Sequence, residues 1–236
     1  MPTTPEGFKE RLAALGTSLS DQGTLVLQMV EGGFDHIFAP GRDGLLGMEA
    51  AEDAVDKADV GIEKAAVALL ADATEGARRL PDADLRNLLT IVKVNNELER
   101  IADAALACAT LGQRLTDAGA APPNTFRVLT NSVVGIVRDA VKALATGDAR
   151  LARIVLLSDD TVEAFKATLM RDAEAKLRAN ELDAAAAFIL LEIATATHAI
   201  AEHAANIAEQ LLYLHTGTIV RHVEGKWREV EVDGTQ

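Results

Sequence analysis

The breaks in this chain limit its fold more than any other feature. Six long stretches place apolar residues at the 3.6-residue spacing of an amphipathic helix, and short loops punctuate them three and three. The first three cover about 8–38, 45–77 and 84–117. The last three cover about 125–146, 149–179 and 182–216. Leu12, Leu15, Leu19, Val26 and Val30 mark the buried side of the first. Val55, Ile62, Ala66, Leu69 and Leu70 mark the second, and Leu88, Ile91, Val94, Leu98, Ile101 and Ala105 the third. Between the triplets lies Ala118-Gly119-Ala120-Ala121-Pro122-Pro123-Asn124, which has no periodicity and carries a proline pair that no helix runs through. Pro40-Gly41-Arg42-Asp43-Gly44, Gly147-Asp148 and Asn180-Glu181 separate other helices, and Asp82 is the expected N-cap of the third. Gly16 and Gly23 interrupt the first and are expected to mark close helix contacts.

Composition agrees with an all-α chain. Hydrophobic residues make up 49% but aromatic residues only 3%, so the apolar surface is Ala, Leu, Ile and Val. Alanine loses no side-chain entropy in a helix. Stretches near 30 residues make helices of about 45 Å, and short loops between them set neighbours antiparallel. The expected organisation is therefore a three-helix repeat over 5–118, a second over 123–222, and a polar, frayed tail over 223–236. Identity between the halves is thin. Placing Glu99 on His198 aligns Ile101 with Ile200, Ala102 with Ala201 and Ala105 with Ala204, and little more.

The formal charge of −13 disfavours nucleic acid, because a polyanion gains nothing by displacing counterions from phosphates. Anionic membrane surfaces are disfavoured for the same reason. No apolar run, such as 184–191, reaches bilayer length, so membrane insertion is not expected. The single cysteine, Cys108, allows no intramolecular disulfide and reads as a core residue. With no secretory pattern at the start, the expected compartment is the cytoplasm.

Acids four residues apart share one helix face, a turn apart. Glu52 and Asp56 form such a pair on the second helix, Glu99 and Asp103 on the third, Asp159 and Glu163 on the fifth, and His198 and Glu202 on the sixth. In a chain with 36 acids any single pair arises easily by chance and reads as a solvated face. Repetition on the second and third helix of each half is what singles these out. Adjacent like pairs repel unless a cation lies between them, and oxygen-rich sites with an occasional imidazole suit Mg, Mn, Fe or Zn. Gly41, Gly44 and Gly47 follow no strand and lack a nucleotide fingerprint. His203, His215 and His222 follow no ligand spacing, Met29, Met48 and Met170 read as core, and Ser158 lacks a nucleophile's setting. No catalytic residue emerges.

The third and sixth helices carry a resemblance. Asn96-Glu97-Leu98-Glu99-Arg100-Ile101-Ala102-Asp103, preceded by Pro81-Asp82-Ala83-Asp84-Leu85-Arg86, is similar to a signature of the PhoU family. Ala205-Asn206-Ile207-Ala208-Glu209, followed by Tyr213-Leu214-His215-Thr216-Gly217 and Arg221-His222, resembles that family's C-terminal signature. The resemblance implies two homologous three-helix bundles with acid-rich metal motifs on the second and third helix of each. It implies a non-enzymatic regulator that accompanies phosphate ABC transporter components, restrains a sensor histidine kinase when phosphate is ample, and in several members forms a homodimer. Glu52, Asp56, Glu99, Asp103, Asp159 and Glu163 match those motifs. The fourth departs, with His198 for glutamate, Ala199 for arginine and Glu202 for aspartate, and Ala107 stands where the first repeat often has asparagine. The bound metal is therefore left open among Fe, Zn, Mn and Mg. A metal-dependent enzyme or metal store is the alternative reading of the same acids, and a purely structural helical adaptor is a third.

Overall fold

The computed structural model describes residues 4–75, 79–223 and 226–230; the side chains of Asp159, Asp160 and the residues from Val220 onward lie outside that description. Six helices carry the fold: α1 (Pro5–Phe38), α2 (Arg42–Glu75), α3 (Asp82–Asp117), α4 (Thr125–Thr146), α5 (Ala149–Arg178) and α6 (Ala184–Thr216). Several start on side-chain caps that satisfy otherwise unpaired N–H groups. Thr4 Oγ1 accepts from Gly7 N at 3.1 Å, with Pro5 opening the helix. The Asp148 carboxylate accepts from Arg150 N and Leu151 N, and that of Asp183 from Ala185 N and Ala186 N. The helix α3 departs from expectation: Pro81 is its N-cap and Asp82 is already helical. There Asp82 and Asp84 place negative charge against the positive end of the helix dipole instead. The C-cap glycines Gly147 and Gly217 take φ of 64° and 73°, the left-handed conformation that closes α4 and α6.

The halves lie side by side, and one continuous hydrophobic core runs through both. The helices α3 and α6 pack antiparallel at its centre. Arg86 stacks over the Tyr213 ring at one end, the Cys108 thiol lies 3.8 Å from Thr197 Oγ1 in the middle, and Arg114 pairs with Glu192 at the other end. The helices α1 and α4 run antiparallel beside them, tied by the Arg138–Glu31 ion pair and by Arg127 over the Phe38 ring at 4.0 Å. Outside this layer, α2 flanks α1 and α3, and α5 flanks α4 and α6. Close approach of α1 to α3 rests on Gly33 and Gly112. A Cβ on Gly33 would stand 2.5 Å from the Ala105 carbonyl oxygen, and one on Gly112 would stand 2.7 Å from Ile37 Cα. Gly16 meets nothing, contrary to the expected contact there, whereas Gly23 does face α4 at Val141.

Among the described helices, α6 alone is long and apolar enough to cross a membrane, which the reading of short apolar runs missed. Its position explains the composition. As the central helix it buries Ile193, Ile200, Ala204, Ile207 and Leu211 against its neighbours.

One element was not anticipated. The chain continues past Gly217 into strand β1 (Ile219–Val223), which pairs antiparallel with β2 (Lys226–Val230), Arg221 opposite Arg228. The hairpin straddles the expected boundary: β1 lies almost wholly within the stretch expected as second repeat, and β2 lies within the frayed tail expected over 223–236. Ile219, Val220, Val223 and Val230 are β-branched, a composition that fits a pleated ribbon better than a frayed coil.

A candidate metal-binding face

Val55 and Ile62 of α2, and Leu98 and Ile101 of α3, point into the core. That leaves Glu52, Asp56 and Asp59 on the edge of α2 that borders α3, and Glu99 and Asp103 on the facing edge of α3. Glu52, Asp59 and Glu99 are half-buried, while Asp56 and Asp103 are exposed. A hydrogen bond from Asn95 of α3 to Asp59 of α2 joins the two edges. Burial, then the charges of Asp56, Asp103 and Asp53, raise the Glu52 carboxyl above its ordinary value. Burial, then Asp103, Asp59 and Asp56, raise Glu99, against a smaller opposing pull from Arg100. Each of these glutamates thus feels acids from the other helix. Desolvation and like charge both penalise the ionised form, so the face is one that a cation would relieve.

Asp59 escaped sequence reasoning. It lies one turn past Asp56, and Asn95 lies one turn before Glu99 on α3. The buried Asn95 Nδ2 donates to Asp59 Oδ1 at 2.5 Å and to the Asp59 carbonyl at 3.1 Å. Burial, then Glu63 and Asp56, raise the Asp59 carboxyl. Stepping four residues back from Glu99 reaches Asn95, but Asp59 lies three residues past Asp56, where the four-residue spacing reaches Val60 instead.

The donor set fits a hard cation in kind, since it is all carboxylate oxygen. It is open in geometry. Among the described residues, no three His, Cys, Asp or Glu side chains close around a common point. The carboxylates share a face and a field rather than a formed cage.

The second half repeats the plan loosely. Glu163 on α5 is exposed, and on α6 His198 is half-buried and Glu202 exposed. Glu163 and His198 lie nearly equally far from the α5–α6 turn, so antiparallel packing sets them at the same level. Asp159 sits on α5, but its side chain is outside the described residues.

A further polar cluster joins the halves. His203 Nδ1 and Glu97 Oε2 are 2.7 Å apart, and Asn206 Nδ2 donates to the same oxygen at 3.1 Å. Burial pushes the Glu97 carboxyl up, but the hydrogen bonds from His203 and Asn206 and the His203 and Arg100 charges outweigh it, leaving the carboxyl below its ordinary value. Sequence reasoning set His203 aside for lack of ligand spacing. Its partner is on the other half of the chain, so no local pattern could reveal it. Cys108 is buried as expected, and its thiol is pushed up to about 12 by burial.

Six helices in two triplets, with carboxylates where the second and third helix of a triplet meet, define a class of duplicated all-helical proteins with acidic faces. Comparison places the chain within that class. The PhoU domain model matches twice, over residues 19–111 and 126–211, and the chain belongs to the PhoU family. It is similar to the phosphate-specific transport system accessory protein PhoU homolog of Pseudomonas putida, 34% identical over 162 residues, or 67% of this chain and 63% of that protein. The chain thus aligns to less than two thirds of that relative's length. The homolog of the same description from Pseudomonas aeruginosa is 31% identical, covering 73% of this chain and 70% of its own. The crystal structure of PhoU from Pseudomonas aeruginosa superposes with a TM-score of 0.82 at 27% identity, covering 89% of this chain and all of that one. The phosphate transport system regulatory protein PhoU from Streptococcus pneumoniae shares the fold, with a TM-score of 0.82 at 20% identity and coverage of 91% and 99%.

Proposed function

We propose that this chain is a regulator of phosphate uptake and phosphate-starvation signalling that works by binding rather than by catalysis. Its acidic faces would take up metal ions of the Fe, Zn, Mn or Mg kind. Glu52, Asp56, Glu99 and Asp103 would hold metal in the first half, with Asp59 beside them, and Asp159, Glu163, His198 and Glu202 in the second. In the cytoplasm, as a homodimer, the chain would bridge phosphate ABC transporter components and a sensor histidine kinase. The names of its relatives, accessory proteins of a phosphate-specific transport system, support the setting.

The observation that carries the reading is the depth of the first-half acids. An enzyme of the carboxylate-bundle type draws its ligands into a bundle core. Here Asp56 and Asp103 are exposed, and Glu52 and Glu99 stand only half-buried at the helix edge. Such a face can change its net charge with metal and meet a basic surface on a partner. Complementary fields of this kind speed encounter and weaken as salt rises.

Deletion of the gene is expected to alter phosphate uptake or starvation-gene control, and a copy carrying Glu52→Gln with Glu99→Gln to restore it incompletely. A normal phosphate response in the deletion strain, with substrate turnover by the metal-loaded protein, would overturn the reading in favour of an enzyme.

A further inference from the structure

The two triplets differ most at one end. The helix α1 has 34 residues and α4 only 22. The family match begins at residue 19 in the first half and at 126 in the second. So α1 carries residues 5–18, about four turns, ahead of the matched region, whereas α4 starts at its edge. Those extra turns wall the outer end of the first half. Phe8, Leu12 and Leu15 are buried at i, i+4 and i+7, and Arg11 pairs with Asp72 near the end of α2.

Among the described residues, the second half has no helix in the corresponding place, only the loop residues Ala121, Pro123 and Asn124 that lead into α4. A cavity of about 560 Å³ lies there, between the last turns of α5 and the first turns of α6. Leu169, Leu177, Leu190 and Leu191 line it, together with Phe126 at the start of α4. Phe188 stands at its edge, 67% exposed. Charges of both signs, Arg171, Asp172, Glu174 and Lys176, flank the opening.

We propose that this cavity is the docking site for an amphipathic helix of a partner protein, seated as residues 5–18 are seated in the first half. The fold itself specifies the occupant. The repeat leaves two helices splayed where its other copy holds three. The missing piece is a helix of about four turns with large apolar residues at i, i+4 and i+7, the usual anchors of helix-in-groove recognition. The mixed rim suits a helix whose flanks carry both signs, as Lys9, Glu10 and Arg11 do beside Phe8 and Leu12. The site is separate from the acidic face, and the proposal stands or falls independently of metal.

The probe is a labelled synthetic peptide with the sequence of residues 4–18, titrated into the full chain and followed by fluorescence anisotropy and amide NMR shifts. Saturable binding is expected, with shifts confined to the end of α5 and the start of α6. Phe188→Asp should weaken it by at least about tenfold, a change of about 1.4 kcal/mol, and Phe188 is exposed enough for the variant to fold, as a matched melting curve will verify. A peptide with Phe8→Ser and Leu12→Ser should not bind. Absence of saturation into the millimolar range, equal binding by the variant or by the serine peptide, or shifts on α2 and α3 would each overturn the proposal. So would self-association of the wild-type chain that Phe188→Asp abolishes, since the occupant would then be a second copy.

Discussion

The outer ends of the two triplets give the sharpest contrast in the molecule. In the first, the opening turns of α1 cover the ends of α2 and α3, and Phe8 is fully buried. In the second, the same position is an apolar cavity with Phe188 largely in solvent. The acids divide in the same sense. Those of the first half press on one another across α2 and α3, whereas those of the second include an imidazole. Duplication lets one copy carry packing while the other leaves surface open. Helix order alone does not reveal which copy does which; helix length and burial do.

The largest effect expected from this contrast is on stability. Phe8→Ala should cost about 3–5 kcal/mol, as large-to-small changes at packed aromatic sites do. Phe188→Ala should stay within about 0.5 kcal/mol, as exposed changes do. Urea denaturation of the two variants checks this, and equal losses would erase the difference between the ends.

Next in size is the link between halves. Glu97→Ala removes a charged acceptor shared by His203 and Asn206 and should cost about 2 kcal/mol. The pH dependence has a definite sign. The folded Glu97 carboxyl lies below its ordinary 4.5, so its stabilisation is complete above that value and is lost as pH falls through the lowered one. The acidic face acts oppositely. Glu52, Asp59 and Glu99 are raised when folded, so their ionisation opposes folding as pH rises through their ordinary values toward the raised ones. Glu97→Gln should flatten the acid limb of a melting-temperature profile. Glu52→Gln with Glu99→Gln should flatten the decline above it, and should stabilise the metal-free chain by a few tenths of a kcal/mol, the scale of like-charge helix pairs.

The smallest effect on stability, and the most specific for the second half, comes from His198→Glu. Replacing a neutral imidazole ligand with a carboxylate adds one negative charge. Metal preference should move from Zn or Fe toward Mg or Mn. Competition titrations read this directly, and unchanged preference removes His198 from the ligand set.

Most of the fold was legible because helices are local. The apolar stripes and the Pro122-Pro123 break report on neighbours three or four residues away, and so do the carboxylate pairs. What escaped depends on distant partners or on backbone detail. The Glu97–His203 contact spans the two halves. The Asp59–Asn95 contact bridges two helices, and the close approach at Gly33 depends on where α3 lies. The cap of α3 shifted by a residue because Asp82 entered the first turn, where a carboxylate is also favourable. The second strand of the terminal hairpin falls in the expected tail because Lys226, Arg228 and Glu229 give it a polar composition. The cavity was invisible because sequence gives helix lengths only roughly and gives no voids.

The proposed role of the α2–α3 face of the first half is to hold a cation. Calorimetric titration of the metal-stripped chain with Mn, set against the Glu52→Gln, Glu99→Gln double variant, tests it most directly. Saturable binding by the wild-type chain is expected, accompanied by a rise in melting temperature, with at least about tenfold weaker binding at one site in the variant. Identical isotherms for the two proteins would contradict it.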